Sequence, residues 1–317
     1  MSVKPNILIT GSSGLLGRAL AARHPGARRR RGPRPTARLP GDGFAVHPLS
    51  RTRSDQSCWW DPPHGEVHLG SSLPLRSVLH LAGAGIADRP WTKERKRVLR
   101  ESRVDATRTL CEALARLPEG QRPESLIMAS GIGIYGDRGD EILREESAPG
   151  RGTLAELAVD WEAAADPARE AGIRVVVLRL GMILSREGGA LGKMLTPFRL
   201  GLGGPIGSGR QFVSWIALPD AVSLFRAMID RPDIRGPLNA VAPGCVSQRT
   251  FANALGKALG RPSFLPLPSL AVRAMFGEMG QELLLAGQRV EPARLLSLKH
   301  PFRYPHLEDA LPAIGVG

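Results

Sequence analysis

The chain has 317 residues, 42% of them hydrophobic, so it can bury a sizeable core and is long for one small domain. No apolar run approaches the roughly 18 to 20 residues of a membrane span, and "MSVKPN" leads directly into a strand-like run, so a soluble cytoplasmic protein is expected. The net charge of +13 invites a nucleic-acid reading, but its dense cluster, "GARRRRGPRPTAR" from Gly26 to Arg38, has neither interleaved aromatics nor a reading helix. Arginine, proline and glycine bury little there, so residues 26–43 read as a solvated basic loop insertion or an anion-binding arm, and nucleic acid is not the expected partner. Cys58, Cys111 and Cys245 are widely spaced without a CxxC pair, which indicates neither a disulfide framework nor a metal site.

In chain order, "NILIT" (Asn6 to Thr10) is a β-branched run ended by glycine, and "GSSGLLGRALAARH" then carries apolar residues at helical spacing. Beyond the basic insertion, "FAVHPLSR" (Phe44 to Arg51) reads as a second strand and "CWWD" as part of a loop. "RSVLHLAGAG" contains a strand from Ser77 to Ala82, and "TKERKRVLRESRVDATRTLCEALARLP" predicts one long helix ended by Pro118 and Gly120. "ESLIMASG" is a strand, "LAELAVDWEAAADPAREAG" a helix, and "IRVVVLRLGMIL" (Ile173 to Leu184) a strand. Its continuous apolarity suits a parallel strand covered on both faces. Strands alternating with helices predict an α/β fold with a doubly wound parallel sheet. Past residue 185 the texture changes to a glycine-rich, turn-rich stretch, a helix at "DAVSLFRAMID", a strand at "GPLNAVAP" and a helix opened by Ser247 and Thr250. The expected division is a nucleotide-binding domain over 1–240, with 186–215 contributing to a substrate lobe, and a small C-terminal domain over 241–317.

"GSSGLLG" puts Gly11, Gly14 and Gly17 between a strand and a helix, the context in which such a triad binds a dinucleotide. Gly11 allows the tight turn, Gly14 lets backbone amides reach a pyrophosphate, and Gly17 lets the helix pack on the strand. Ser12, Ser13, Leu15 and Leu16 complete the turn and the first helical turn, where unpaired N–H groups point at the ligand. The second strand ends "PLSRTR", with Ser50, Arg51 and Arg53 and no acid until Asp55. A hydroxyl and a guanidinium suit the 2′-phosphate of NADP(H), which a carboxylate would repel. Ala82 and Gly83 leave room for a ligand beside the third strand, and His80 reads as a core histidine.

"GSSGLLG", "HLAGAGI", "ESR", "GIYGD", "DWEAA", "GGALGKMLTPFRLGLGGPIGSGRQFVSWI", "NAVAP" and "GEMGQELLLAGQRVEP" together resemble the atypical short-chain dehydrogenase/reductases called epimerase-family proteins, which are sugar-nucleotide-epimerase-like. Some members are named as cell-division inhibitors. The resemblance implies an extended Rossmann domain with a small C-terminal domain, and NADP(H) held by the glycine turn and the Ser50–Arg51 pair. It adds Leu81, Ala82, Arg103 and Ile183 to the cofactor residues.

Active extended members pair a strand-end serine with a Tyr-x-x-x-Lys whose phenol exchanges a proton with the substrate. Ser130 matches the serine and is the candidate catalytic residue, as a hydrogen-bond partner of substrate or nicotinamide. Tyr135 is followed four residues later by Gly139, not lysine, and aligning "DWEAA" with the usual helix puts Leu154 and Ala158 at the Tyr and Lys positions. The family commonly has histidine where this chain has Ala217. Asp137, Asp140 and Glu141 stand as substitute acids, and Lys193, Arg199 and Arg210 either grip an anionic substrate or are surface charges. Two functions follow: an epimerase- or reductase-like enzyme on an unidentified small molecule, in the sugar-nucleotide class, with another proton relay, or an NADP(H)-binding regulatory protein without turnover, linked to cell division.

Overall fold

The structure, a computed structural model, describes residues 5–21, 44–53, 58–70 and 74–317. The basic insertion at 26–43 and Asp55 lie outside the described residues.

Strand β1 (Asn6–Thr10) runs through the glycine turn into helix α1 (Leu15–Ala21), and β2 (Ala45–Pro48) follows. The aromatic pair expected in a loop instead forms β3 (Trp59–Asp61), an antiparallel hairpin with β4 (Glu66–His68). The indole of Trp59 stacks on His68, and Arg53 sits 4.8 Å from the Trp59 ring centroid, so large flat side chains organise the hairpin. Strand β5 (Leu75–His80) ends two residues earlier than its apolar run suggested. The long helix is α2 (Lys93–Arg100), capped by Thr92, then a π turn over Glu101–Asp105, then α3 (Ala106–Ala115).

Strand β6 (Ser125–Gly131) leads to the short β7 (Ile142–Leu143), and the next helical stretch divides into α4 (Thr153–Ala163) and α5 (Asp166–Glu170), where Pro167 opens the second piece. The run from Ile173 also divides: β8 (Arg174–Leu180) stays in the central sheet, whereas β9 (Met182–Leu184) leaves it after Gly181. Within the glycine-rich stretch lies a helix, α6 (Gly189–Arg199). Strands β10 (Phe212–Val213) and β11 (Trp215–Ala217), helix α7 (Leu218–Ile229) and β12 (Gly236–Ala240) come next. The chain finishes with β13 (Val246–Ser247), α8 (Gln248–Ala258), α9 (Ser269–Gly280), β14 (Arg289–Val290), α10 (Ala293–Ser297) and α11 (Leu307–Ala313). Ser247 caps α8 by accepting from the Thr250 N–H at 3.1 Å, as the sequence predicts.

The central sheet is six-stranded, in the order β12-β8-β6-β5-β1-β2, and every neighbouring pair is parallel. The chain leaves β1 for β2 on one side and then crosses to β5 on the other, so the strand order reverses at β1. In such a doubly wound sheet the carboxyl ends of β1 and β5 diverge into a crevice. The main core covers the sheet with buried side chains of β1, β5, β6, β8 and the helices. A second core joins Leu184, Leu191, Phe198 and Trp215 to Phe251, Leu255 and Leu311. No helix among the described residues is long and apolar enough to cross a membrane.

One buried carboxylate ties the end of the chain to the sheet layer. Asp220 on α7 is 3% exposed and accepts from the backbone N–H of Arg303 and of Tyr304, each at 3.0 Å. Asp220→Asn turns one acceptor into a donor facing an N–H, and melting should show a loss of about 1–3 kcal/mol, the cost of one stranded buried donor. An unchanged melting temperature would refute this tie.

Candidate functional site

The glycine turn is built on contacts that no side chain could share. Gly11 has φ +66°, and a Cβ there would lie 2.7 Å from the Leu81 carbonyl. At Gly17 a Cβ would fall 2.1 Å from the Gly11 carbonyl oxygen, so this glycine packs α1 on the turn itself rather than on β1. Gly14 donates its N–H to the Gly11 carbonyl at 3.0 Å and stays exposed with Ser13, while Ser12 is half-buried. Leu16 points into the core, whereas Leu15 lies toward Ile183: Gly189 stands between them, its absent Cβ 3.5 Å from Leu15 Cδ2 and 3.7 Å from the Ile183 carbonyl oxygen.

The register puts Thr10 opposite His80. The Thr10 hydroxyl accepts from the N–H of Leu81 at 3.0 Å and of Ala82 at 3.1 Å, so its own proton goes to His80 Nδ1 at 2.8 Å. His80 Nε2–H then donates to Thr107 Oγ1 at 2.8 Å, a hydroxyl that also accepts from the Trp161 indole. The chain of bonds fixes one neutral tautomer and pins the Leu81–Ala82 turn against Gly11. Burial holds His80 down to about 4.

At the end of β2 the three candidates separate. Arg53 is committed to Glu66 at 2.6 Å and to Asp61 at 3.4 Å. Ser50 is stitched to the hairpin through its backbone, with its hydroxyl accepting from the Thr52 N–H. Arg51 is exposed and has no ionic partner among the described residues. The hairpin therefore removes one arginine and leaves the other beside Ser50.

Arg103 is 9% exposed, and the π turn explains its aim. Local unwinding lets consecutive residues face the loop after β5: Ser102 Oγ accepts the Ala84 N–H at 3.1 Å, and Arg103 donates to the Ala84 carbonyl at 3.0 Å. Its guanidinium lies 5.1 Å from the Trp161 ring centroid, and the absent Cβ of Gly83 would sit 3.3 Å from Cζ. The structure thus brings Gly11, Leu81 and Ala82 together, and Gly83 against Arg103, while Leu15 and Ile183 meet at Gly189.

Ser130, 4% exposed, donates to Glu162 at 2.8 Å, so toward a ligand it has only lone pairs to offer. Arg179 grips Glu162 through two bonds of 2.9 Å and donates to the Tyr135 hydroxyl at 2.9 Å, which donates to Asn239 Oδ1 at 2.7 Å. The register explains the cluster, because Ser130, Arg179 and Asn239 are neighbours in one row across β6, β8 and β12. Tyr135 is fully buried, burial pushes its phenol above the ordinary tyrosine range, and its hydroxyl is held between Arg179 and Asn239 as a strut. Glu162, Arg179 and Asn239 were missed in sequence. The available signal was Arg179, an arginine placed between apolar residues late in β8.

Leu154 and Ala158 lie on α4, and Leu154 lines a cavity of ≈ 190 Å³ with Gly133, Asp137, Arg151, Glu282 and Gln288. Glu282 accepts the N–H groups of Thr153 and Leu154, each at 2.9 Å. Asp137 accepts the Gly287 N–H at 3.0 Å, whereas Glu141 is paired with Arg138 and Asp140 is exposed. Ala217 is buried in β11. Lys193 pairs with Asp88 at 3.2 Å, and Arg199 and Arg210 are exposed.

The His80 lock has a pH signature. Between pH 6.5 and about 4 the unfolded chain takes up a proton that the folded one refuses, so stability falls as the pH drops through that window. Wild-type protein should lose about 3 kcal/mol between pH 7 and 4 in excess of His80→Gln, read by denaturant titration at both values. Equal losses would show that His80 is not held neutral.

Comparison with known proteins gives consistent matches. The model of the NAD dependent epimerase/dehydratase family matches residues 7–240, and a domain of unknown function, DUF1731, matches 267–314. An epimerase family protein of Mycobacterium bovis, Mb2239, is 39% identical over 306 residues, 96% of each chain. The crystal structure of human epimerase family protein SDR39U1 with NADPH superposes with a TM-score of 0.82 at 32% identity, covering 98% of both chains. A nucleoside-diphosphate sugar epimerase from Corynebacterium glutamicum superposes with a TM-score of 0.75 at 34% identity, over 99% of this chain and 59% of that one.

Proposed function

The chain belongs to the NAD dependent epimerase/dehydratase family, and from that premise we propose that it binds NADP(H) in the crevice between the ends of β1 and β5 and acts on a nucleotide-sugar-like small molecule. The observation that carries the cofactor choice is the end of β2, where Ser50 and Arg51, which has no ionic partner among the described residues, stand in place of a carboxylate. The human relative crystallised with NADPH supports it. When bound, the nicotinamide supplies hydride transfer.

This chain's residues then divide the work. The N–H groups of Ser12, Ser13, Leu15 and Leu16, in the turn that Gly11 and Gly17 make possible, would hold the diphosphate bridge. Leu81, Ala82, Gly83 and Ile183 shape the walls, and Arg103 supplies positive charge. Ser130, its proton committed to Glu162, accepts a hydrogen bond rather than delivering a proton. Leu154 and Ala158 carry no transferable proton, so acid/base work falls to the carboxylates lining the cavity, Asp137 and Glu282. The name of the C. glutamicum relative supports the substrate class. A second reading, a cofactor-binding regulatory protein without turnover, is favoured by the same apolar pair at the Tyr and Lys positions.

Two measurements test these readings. NADPH fluorescence should rise on binding, and Arg51→Glu should weaken NADPH by at least about tenfold while changing NADH little, since one charge-assisted contact becomes a repulsion; no enhancement, or no effect of the substitution, would sink the cofactor assignment. Labelled NADPH should exchange hydride with a member of a panel of sugar nucleotides. Exchange with none of them decides for the regulatory reading.

A further inference from the structure

Large apolar side chains that stand in water gather in one region of the surface. Leu200 and Leu202 follow α6, Phe264 and Leu265 lie in the connection from α8 to α9, and Leu270 and Met275 are on α9; all six are exposed, Phe264 and Leu270 at 78% each. Backbone contacts hold these segments side by side. Leu265 donates its N–H to the Gly203 carbonyl at 3.3 Å, Leu267 donates to Pro205 and Gly207 to Leu267, each at 2.8 Å, and a Cβ at Gly207 would lie 3.9 Å from Ser269 Cβ at the start of α9. On α9 itself Leu270, Arg273 and Ala274 are exposed at helical spacing, whereas Val272 and Met279 are buried. The apolar side chains therefore project from hydrogen-bonded backbone.

The charges around them have one sign. Arg199 precedes Leu200, Lys257 and Arg261 flank the end of α8, where a Cβ at Gly256 would meet Ser263, and Arg273 is on α9. All four are exposed, and none has a carboxylate within ion-pairing distance among the described residues. The sequence supplies none nearby: there is no aspartate or glutamate from Gly188 to Pro219 or from Ile234 to Gly277. Glu278, the next acid after that stretch, is bonded to Lys96. Exposed apolar side chains rimmed by cations, with no acid among them, match a surface that is negative outside and apolar beneath. There the side chains enter the acyl boundary while the cationic heads stay with the headgroup phosphates. A second copy of the chain fits less well, because a symmetric contact would set the same cations against each other with no acid between them.

We propose that this face docks the protein on a lipid bilayer surface rich in anionic headgroups, with Phe264 and Leu270 entering the interface and Arg199, Lys257, Arg261 and Arg273 holding phosphates. The attachment is peripheral and independent of the NADP(H) reading.

The test is flotation of the full chain with vesicles of phosphatidylcholine alone and of phosphatidylcholine with an equal part of phosphatidylglycerol, at physiological salt. Wild-type protein should float with the second and not with the first. Phe264→Ser combined with Leu270→Ser keeps every charge, those of the basic run included, and should weaken the partition at least about tenfold, because two apolar side chains no longer gain by leaving water. Binding to anionic vesicles that this variant leaves unchanged is charge attraction alone and overturns the docking face, as does a wild type that floats with neither. Sedimentation and a polyglutamate titration, both without lipid, identify other occupants. If wild-type protein ignores vesicles but self-associates, or binds polyglutamate, and the same substitutions abolish it, the lipid assignment is overturned in favour of a second copy or an acidic protein. Both positions are exposed, so the variant should melt with the wild type; if it melts lower, Arg199→Gln with Arg261→Gln is compared instead, and an unchanged partition there overturns the proposal equally.

Discussion

The crevice depends on one hydroxyl. Thr10 ends β1 and collects the N–H groups of Leu81 and Ala82, which follow β5, so the two strands are joined just where they diverge. Because both lone pairs of that oxygen are used, its proton must go to His80, and the histidine must be neutral. The approach of the two turns then leaves no volume for a side chain at Gly11, and the helix that follows leaves none at Gly17. One buried polar bond thus sets the backbone geometry of everything around the glycine turn.

A second constraint lies three strands away. Ser130, Arg179 and Asn239 occupy one row across the sheet, and Glu162 and Tyr135 close on it from above. A guanidinium placed there must be paired, since a buried charge without a partner costs several kcal/mol. Pairing it draws in the Tyr135 hydroxyl, and Glu162, which pairs the guanidinium, also takes the proton of Ser130. The protons of Ser130 and Tyr135 both go to protein acceptors, and the cavity beside Leu154 is lined by carboxylates from the loop after Tyr135 and from the C-terminal segment.

The doubly wound sheet, the strand–turn–helix opening and the capped start of α8 were legible because each rests on local periodicity or a local capping residue. Boundaries were less so. The β3–β4 hairpin escaped because its three-residue strands are too short to show alternation, and the π turn escaped because it depends on two neighbouring side chains both reaching Ala84. The helix α6 hid behind glycines, whose composition suggested turns, although its Leu191, Leu195 and Phe198 are spaced for one buried face.

By itself the sequence determined the parallel α/β architecture, the place of the glycine turn, the absence of an acid at the end of β2 before Asp55, and the loss of a Tyr-x-x-x-Lys. These are properties of residue type and spacing, which no partner elsewhere in the chain can alter. Only the tertiary structure decided which charges are free. Arg53 and Arg51 are indistinguishable in the string, yet the hairpin brings Glu66 to one and nothing described to the other; Arg179 meets Glu162, whereas Arg103 meets carbonyls and the Trp161 ring and no described carboxylate. A guanidinium's role depends on the counter-charge that folding carries to it.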